Sequence, residues 1–244
     1  MILELDCGNS LIKWRVIEFD GSPPVREGTA ADASAVMDGL AAEVFRISRC
    51  RLVSVRSDNE TESLKSALSA LLRVEVAVAA PGRFLGGVAN GYDEPERLGL
   101  DRWLAVVAAY NLCGGPCLVI DLGTAITVDL VGASGKHLGG YITPGLSLLR
   151  GQLIAHTRRI RYSTDGMRDL GKLSPGVSTS EAVERGCLLM LRSYIGQQID
   201  LAPEWLGGEF TCYLTGGDAL LASDLRGVVH VPDLVFCGLA IACP

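Results

Sequence analysis

Ile2-Leu3-Glu4-Leu5-Asp6-Cys7-Gly8-Asn9-Ser10-Leu11-Ile12-Lys13-Trp14-Arg15-Val16 is the stretch that decides the fold. A short apolar run leads to Asp6, Cys7 to Ser10 make a tight corner, and β-forming residues resume at Leu11. Two strands joined by a turn of Gly, Asn and Ser is the simplest local structure for it. Such a turn leaves several backbone N–H groups pointing the same way, which suits a phosphate. Asp6 at the strand end can then hold a hydrated Mg²⁺, and Lys13 can place positive charge on a phosphate oxygen. An ordinary first hairpin with Asp6 as a turn former fits the same residues.

A second copy argues for the phosphate. Leu118 to Val131 reads Leu-Val-Ile-Asp-Leu-Gly-Thr-Ala-Ile-Thr-Val-Asp-Leu-Val. Aligned on Asp6 and Asp121, both stretches give an apolar run, Asp, one residue, Gly, a small polar residue and a renewed β run. The copies lie 115 residues apart in a chain of 244. A repeat on that scale implies two similar halves, expected at 1–112 and 113–244. Their Asp-bearing hairpins would face each other across a nucleotide cleft.

Apolar residues make up 48% and charged residues 20% of the chain, which excludes a disordered protein. The net charge of −6 argues against a dedicated nucleic-acid binder. Eight cysteines lie scattered without a regular framework, and the N-terminus has no positive region of a signal peptide. Reduced thiols in a cytoplasmic protein are therefore expected. Cys113 and Cys117 lack a second pair at zinc spacing. Trp103 to Ile120 is uncharged and long, but Asn111 and Gly114-Gly115-Pro116 break it, so no membrane span is expected.

Between the hairpins, Val25–Thr29 reads as a third strand and Asp32–Phe45 as a helix with Val36, Leu40 and Val44 on one face. A strand at Arg51–Arg56, a helix at Asn59–Leu72 and a strand at Val74–Ala79 complete an α/β half. Gly86–Gly99 is a long Gly-rich segment, equally a substrate-facing loop or a linker. It runs into Gly99-Leu100-Asp101-Arg102, which opens an apolar helix through Leu112. After the second hairpin, Pro144-Gly145 closes a strand and starts a helix over Leu146–His156. His156–Arg161 is the only basic cluster and reads as a solvated loop or subunit contact. Ser178 and Glu181 predict a capping box for a helix through Ile199, with Ala182, Gly186, Leu189 and Met190 buried. A strand at Phe210–Leu214 ends in Thr215-Gly216-Gly217, where paired glycines admit a ligand close to the backbone. Val235–Cys243 is a last apolar helix.

Asp6 to Lys13, Gly99 to Arg102, Asp121-Leu-Gly-Thr124 and Leu214-Thr-Gly-Gly217 together resemble type III pantothenate kinase, in that family's order and spacing along the whole chain. Ser10 stands where the family often has Thr, which keeps the hydroxyl. The resemblance implies an α/β fold of two similar ribonuclease H-like (actin-like ATPase) halves, each a mixed sheet flanked by helices. It implies ATP-dependent phosphorylation of pantothenate on its primary hydroxyl, the first step of coenzyme A synthesis. By the same resemblance, Asp6, Cys7, Gly8, Asn9, Ser10, Leu11, Ile12 and Lys13 surround the ATP phosphates, with Asp6 reaching Mg²⁺ through water. Thr124 adds a phosphate contact, and Gly216 and Gly217 lie against the adenosine. Asp101 matches the general base, and Gly99, Leu100, Asp101 and Arg102 line the pantothenate site. Tyr92 and Thr179 match further substrate contacts, with Ser180 an alternative to Thr179. Asp121 matches the position associated with a monovalent cation, K⁺ or NH₄⁺. The family is dimeric, the partner subunit closing the pantothenate pocket.

The chemistry suits these residue types, since phosphoryl transfer is mostly alignment and charge neutralisation, with a carboxylate taking the hydroxyl proton late. Two alternatives share the pattern. One is a transcription-activating accessory factor of the Bvg type, favoured only by the basic cluster at Arg158–Arg161. The other is a kinase of the same fold acting on another small hydroxylated acid or sugar.

Overall fold

The computed structural model describes residues 1–41, 47–157 and 173–244. The chain divides into two compact units, Met1–Leu112 with Asp233–Pro244, and Cys113–Pro232. The first unit holds β1 (Ile2–Cys7), β2 (Ile12–Ile17), β3 (Pro24–Ala30), α1 (Ala33–Ala41), β4 (Arg49–Ser54), α2 (Asp58–Leu72) and β5 (Val76–Val78). The small strands β6 (Phe84–Leu85) and β7 (Val88–Ala89) and helix α3 (Leu100–Cys113) follow. The second unit holds β8 (Cys117–Leu122), β9 (Ala125–Val131), β10 (His137–Pro144), α4 (Leu146–His156), α5 (Thr179–Leu206), β11 (Thr211–Thr215) and β12 (Val228–His230). The last helix is α6 (Leu234–Ala242).

Both main sheets have one topology. The first runs β3-β2-β1-β4-β5 and the second β10-β9-β8-β11-β12. In each, three antiparallel strands meet a parallel pair through the strand that carries the Asp. β1 and β8 even share one burial pattern, four buried residues, a half-buried Asp and a buried residue. On β1, Leu3, Leu5 and Cys7 share a core with Val36, Leu40, Leu64 and Leu68 of α1 and α2. The matching Leu118, Ile120 and Leu122 of β8 share a core with α4 and α5. A strand's period of two puts Asp6 and Asp121 on the opposite faces from these cores.

α6 belongs to the first unit, not to the second half in which its place in the sequence puts it. Two contacts explain this. Gly238 crosses α3 so closely that a Cβ would lie 2.1 Å from Leu104 O. The second is a buried ionic cluster. Glu4 accepts from Arg15 Nε at 2.5 Å and from Arg51 Nε at 2.8 Å. Arg15 reaches Asp233 Oδ2 at 2.7 Å, and its guanidinium lies 4.5 Å from the Phe236 ring centre. Arg51 donates to Cys243 O at 2.9 Å and also bonds Asp20.

The buried face of α5 differs from the expected one. Val183, Cys187, Leu191 and Ile195 face the core, whereas Ala182, Gly186, Leu189 and Met190 are exposed. The two stripes are offset by one position and share the same i, i+4 spacing, so periodicity alone cannot choose between them. The Ser178 cap forms, accepting from Glu181 N at 3.2 Å, but the Glu181 carboxylate returns to Val177 N instead of Ser178 N. α5 also runs beyond Ile199, through Pro203, to Leu206. On α2, Leu71 is exposed while Leu64 and Leu68 are buried. Gly86–Gly99 carries β7 and a 3₁₀ turn at Pro95–Arg97. Val44 and Phe45 of the expected first helix, and Arg158–Arg161 of the basic cluster, lie outside the described residues. Among the described residues no helix is long and apolar enough to cross a membrane.

Candidate active site

In the first unit, the β1–β2 pairing sets Asp6 opposite Lys13. Residues paired across antiparallel strands share a face, so the carboxylate and the ammonium are presented together. The turn is closed by Gly8 N–H donating to Leu11 O at 3.1 Å, leaving Asn9, Ser10 and Leu11 exposed. Cys7 and Ile12 turn their side chains into the core. Burial pushes the Cys7 thiol up to about 12, and the neighbouring Asp6 charge adds to the rise. All eight cysteines are free thiols.

The same unit brings Tyr92 to Arg102. Arg102 Nη1 donates to Tyr92 OH at 3.1 Å. Asn90 holds the loop around them, with its side chain accepting from Tyr92 N at 3.0 Å and donating to Gly82 O and Pro95 O. Asp101 sits in the first turn of α3, where a carboxylate is favoured by the helix dipole. Its Oδ1 accepts from Arg102 N at 2.8 Å. Gly99 packs beside it, and a Cβ there would lie 2.8 Å from that oxygen and displace the carboxylate.

In the second unit, Asp121 ends β8 opposite Thr127 and beside Thr215 of β11. Gly216 has φ +97, and a Cβ on it would lie 2.4 Å from both Asp121 Oδ1 and Leu122 O. The backbone of Gly216 therefore packs directly against the Asp121 carboxylate and the Leu122 carbonyl, an approach that only glycine allows. Asp218 N donates to Leu122 O at 2.9 Å, fixing the loop. Burial raises the Asp218 carboxyl, and Arg150 counters it. Gly145 N–H donates to Thr124 O at 3.0 Å, leaving the Thr124 side chain exposed. Thr179 lines an apolar groove of about 830 Å³ between α4 and α5, together with Leu153, Ala182, Gly186 and Met190. Ser180 Oγ is instead 3.2 Å from the capping Ser178 Oγ. Among the described residues no three His, Cys, Asp or Glu side chains cluster as a protein-built metal site would.

Gly216→Ala is expected to destabilise the second unit by about 1–3 kcal/mol, because it combines a left-handed backbone with a backbone clash. A Cβ on Gly217 would meet nothing within 4 Å, so Gly217→Ala is the matched control. Equal urea midpoints for the two variants would contradict this account of the turn.

The two sheets, each with an Asp-bearing hairpin at one edge of a parallel pair, define the fold of the acetate and sugar kinases and the actin-like ATPases. A Porphyromonas gingivalis acetate kinase superimposes with a TM-score of 0.57 at 11% identity, over 99% of this chain and 98% of that one. A Campylobacter jejuni protein assigned to the Baf family of transcriptional activators gives 0.58 at 21% identity, over 98% and 95%. At such identities the likeness is one of fold. Residues 2–200 match the type III pantothenate kinase family. A type III pantothenate kinase of Pseudomonas paraeruginosa is 57% identical over 247 residues, covering 100% of this chain and 99% of the relative. The chain belongs to the type III pantothenate kinase family.

Proposed function

We infer that this chain transfers the terminal phosphoryl group of ATP to the primary hydroxyl of pantothenate, the first step of coenzyme A synthesis. Carrying the inference is the 57% identity over the full length to a type III pantothenate kinase. The local geometry supports residue roles on that basis. Asp6, Lys13 and the exposed Asn9–Ser10 turn receive the phosphates, Thr124 contributes a further phosphate contact, and Gly216 and Gly217 lie against adenosine. Gly99, Leu100, Arg102, Tyr92 and Thr179 bind pantothenate, with the Tyr92–Arg102 bond holding both side chains in place.

Asp101 takes the hydroxyl proton as the bond to phosphorus forms. Lys13 offsets negative charge that develops between the phosphates. A Mg²⁺ ion entering with the nucleotide would add to this, held through water by Asp6. Asp121, half-buried near the end of β8, is assigned to K⁺ or NH₄⁺. The reading includes a homodimer, for which the exposed Leu189 and Met190 of α5 are candidate contacts, and a cytoplasmic location.

Purified protein with ATP, Mg²⁺, pantothenate and either K⁺ or NH₄⁺ is expected to release ADP in a coupled assay, and more slowly with neither monovalent cation. Turnover of another alcohol in a panel, with none of pantothenate, would reassign the substrate. No turnover of any acceptor would overturn the enzymatic reading.

A further inference from the structure

The two hairpin turns are pinned in different ways. In the second unit, the residue just beyond the last paired position of β10 is Gly145, whose N–H donates directly to Thr124 O at 3.0 Å. In the first unit the residue in the same place, just beyond the last paired position of β3, is Ala31. Among the described residues no backbone hydrogen bond joins Ala31 to the β1–β2 turn. Arg56 spans the gap. Its Nε donates to Gly8 O at 2.9 Å and its Nη2 donates to Ala31 O at 3.3 Å. One guanidinium thus does for the first turn what a backbone hydrogen bond does for the second.

Arg56 is itself held by a rigid corner. Its N–H donates to Ser54 Oγ at 3.2 Å, and that oxygen lies 2.8 Å from Thr61 Oγ1. Val55 N–H donates to Cys7 O at 3.1 Å, and the next residue, Ser57, forms a complete capping box with Glu60. A long side chain anchored at its base in this way loses little further freedom when its fork engages two carbonyls.

We propose that Arg56 is a positioning residue for the nucleotide, acting through the Gly8–Asn9 peptide. A trans peptide carries its C=O and the following N–H on opposite sides. Holding Gly8 O against the guanidinium therefore turns Asn9 N–H the other way, to the side of the turn that Arg56 does not occupy. Gly8 N–H is already committed to Leu11 O, so Asn9 N–H is the donor this peptide can offer a phosphate. Without Arg56 the peptide is free to rotate, and a carbonyl oxygen then meets the phosphate in place of a donor. The proposal rests on the assignment of Asp6–Lys13 to the ATP phosphates.

Steady-state kinetics of Arg56→Ala and Arg56→Lys, with ATP and pantothenate varied separately, test it. The KM for ATP should rise about 10- to 100-fold in Arg56→Ala, the usual effect of losing a charged hydrogen bond. The kcat and the KM for pantothenate should stay near wild type. Arg56→Lys, able to reach one carbonyl, should fall between, and millimolar guanidinium should restore part of the ATP affinity of Arg56→Ala. If the alanine variant does not fold, the lysine variant carries the same comparison. An unchanged KM for ATP, or an equal rise for both substrates, overturns the proposal. A wild-type protein inactive on pantothenate overturns the substrate assignment instead. Binding of a fluorescent ATP analogue without acceptor then still decides the role of Arg56.

Discussion

Asp101→Asn is expected to lower kcat by about 10²- to 10⁴-fold, the usual contribution of a positioned general base. The substitution is well chosen for the local geometry. Asp101 Oδ1 accepts from Arg102 N at 2.8 Å, and the amide oxygen of Asn can accept the same bond. The first turn of α3 therefore keeps its anchor, and Gly99 and Arg102 keep their places. What is lost is the ability to accept a proton from the alcohol as its oxygen bonds to phosphorus. ATP affinity, measured by calorimetry without acceptor, should match wild type, and so should the melting temperature. Near-normal turnover would remove Asp101 from the chemistry. A large loss of ATP affinity would show that it acts on the nucleotide instead.

The sequence made the two hairpins legible because both are written in local chemistry. An apolar run, an Asp, a Gly and a small polar residue specify a strand, its end and its turn within a few positions. The start of α5 is legible for the same reason, since Ser178 caps Glu181 N from three residues away. Longer-range facts are not. Glu4, Arg15 and Arg51 lie in strands among apolar residues, and a charge at alternate strand positions reads as facing water. Their burial depends on one another and on Asp233, far along the chain. The exposed stripe of α5 fails for a related reason: two offset apolar stripes fit one helix, and only the sheet decides which is covered. Arg56 carried no local signal, because a lone arginine before a capping serine resembles any solvated charge. Its partners, Gly8 and Ala31, come from two other segments.

Glu4→Gln is expected to destabilise the first unit by about 3–5 kcal/mol, the cost of removing one partner from a buried ionic group. Glu4 is fully buried and Arg51 nearly so, and Glu4 is the carboxylate that Arg15 and Arg51 share. Gln keeps the shape and one acceptor oxygen but leaves two guanidiniums facing each other across a neutral amide. Asp20 and Asp233 are each nearly half exposed, at 47% and 43%, so water weakens their compensation. For a protein of this size the loss corresponds to roughly 6–20 °C in melting temperature, at 2–4 °C per kcal/mol. Asp224→Asn is the control. That carboxylate pairs with Arg192 at 2.6 Å but is 70% exposed, and water screens such a pair so that its loss should leave the melting temperature close to wild type. The cluster also ties α6 to the sheet, through Asp233 and Cys243 O, and Glu4 lies two residues before Asp6 on the same face of β1. Amide hydrogen exchange in Glu4→Gln should therefore accelerate in β1 and α6 together while β8 and β9 keep their protection. Acceleration confined to α6, with an unchanged melting temperature, would show that the cluster fastens the last helix without supporting the strand that carries Asp6.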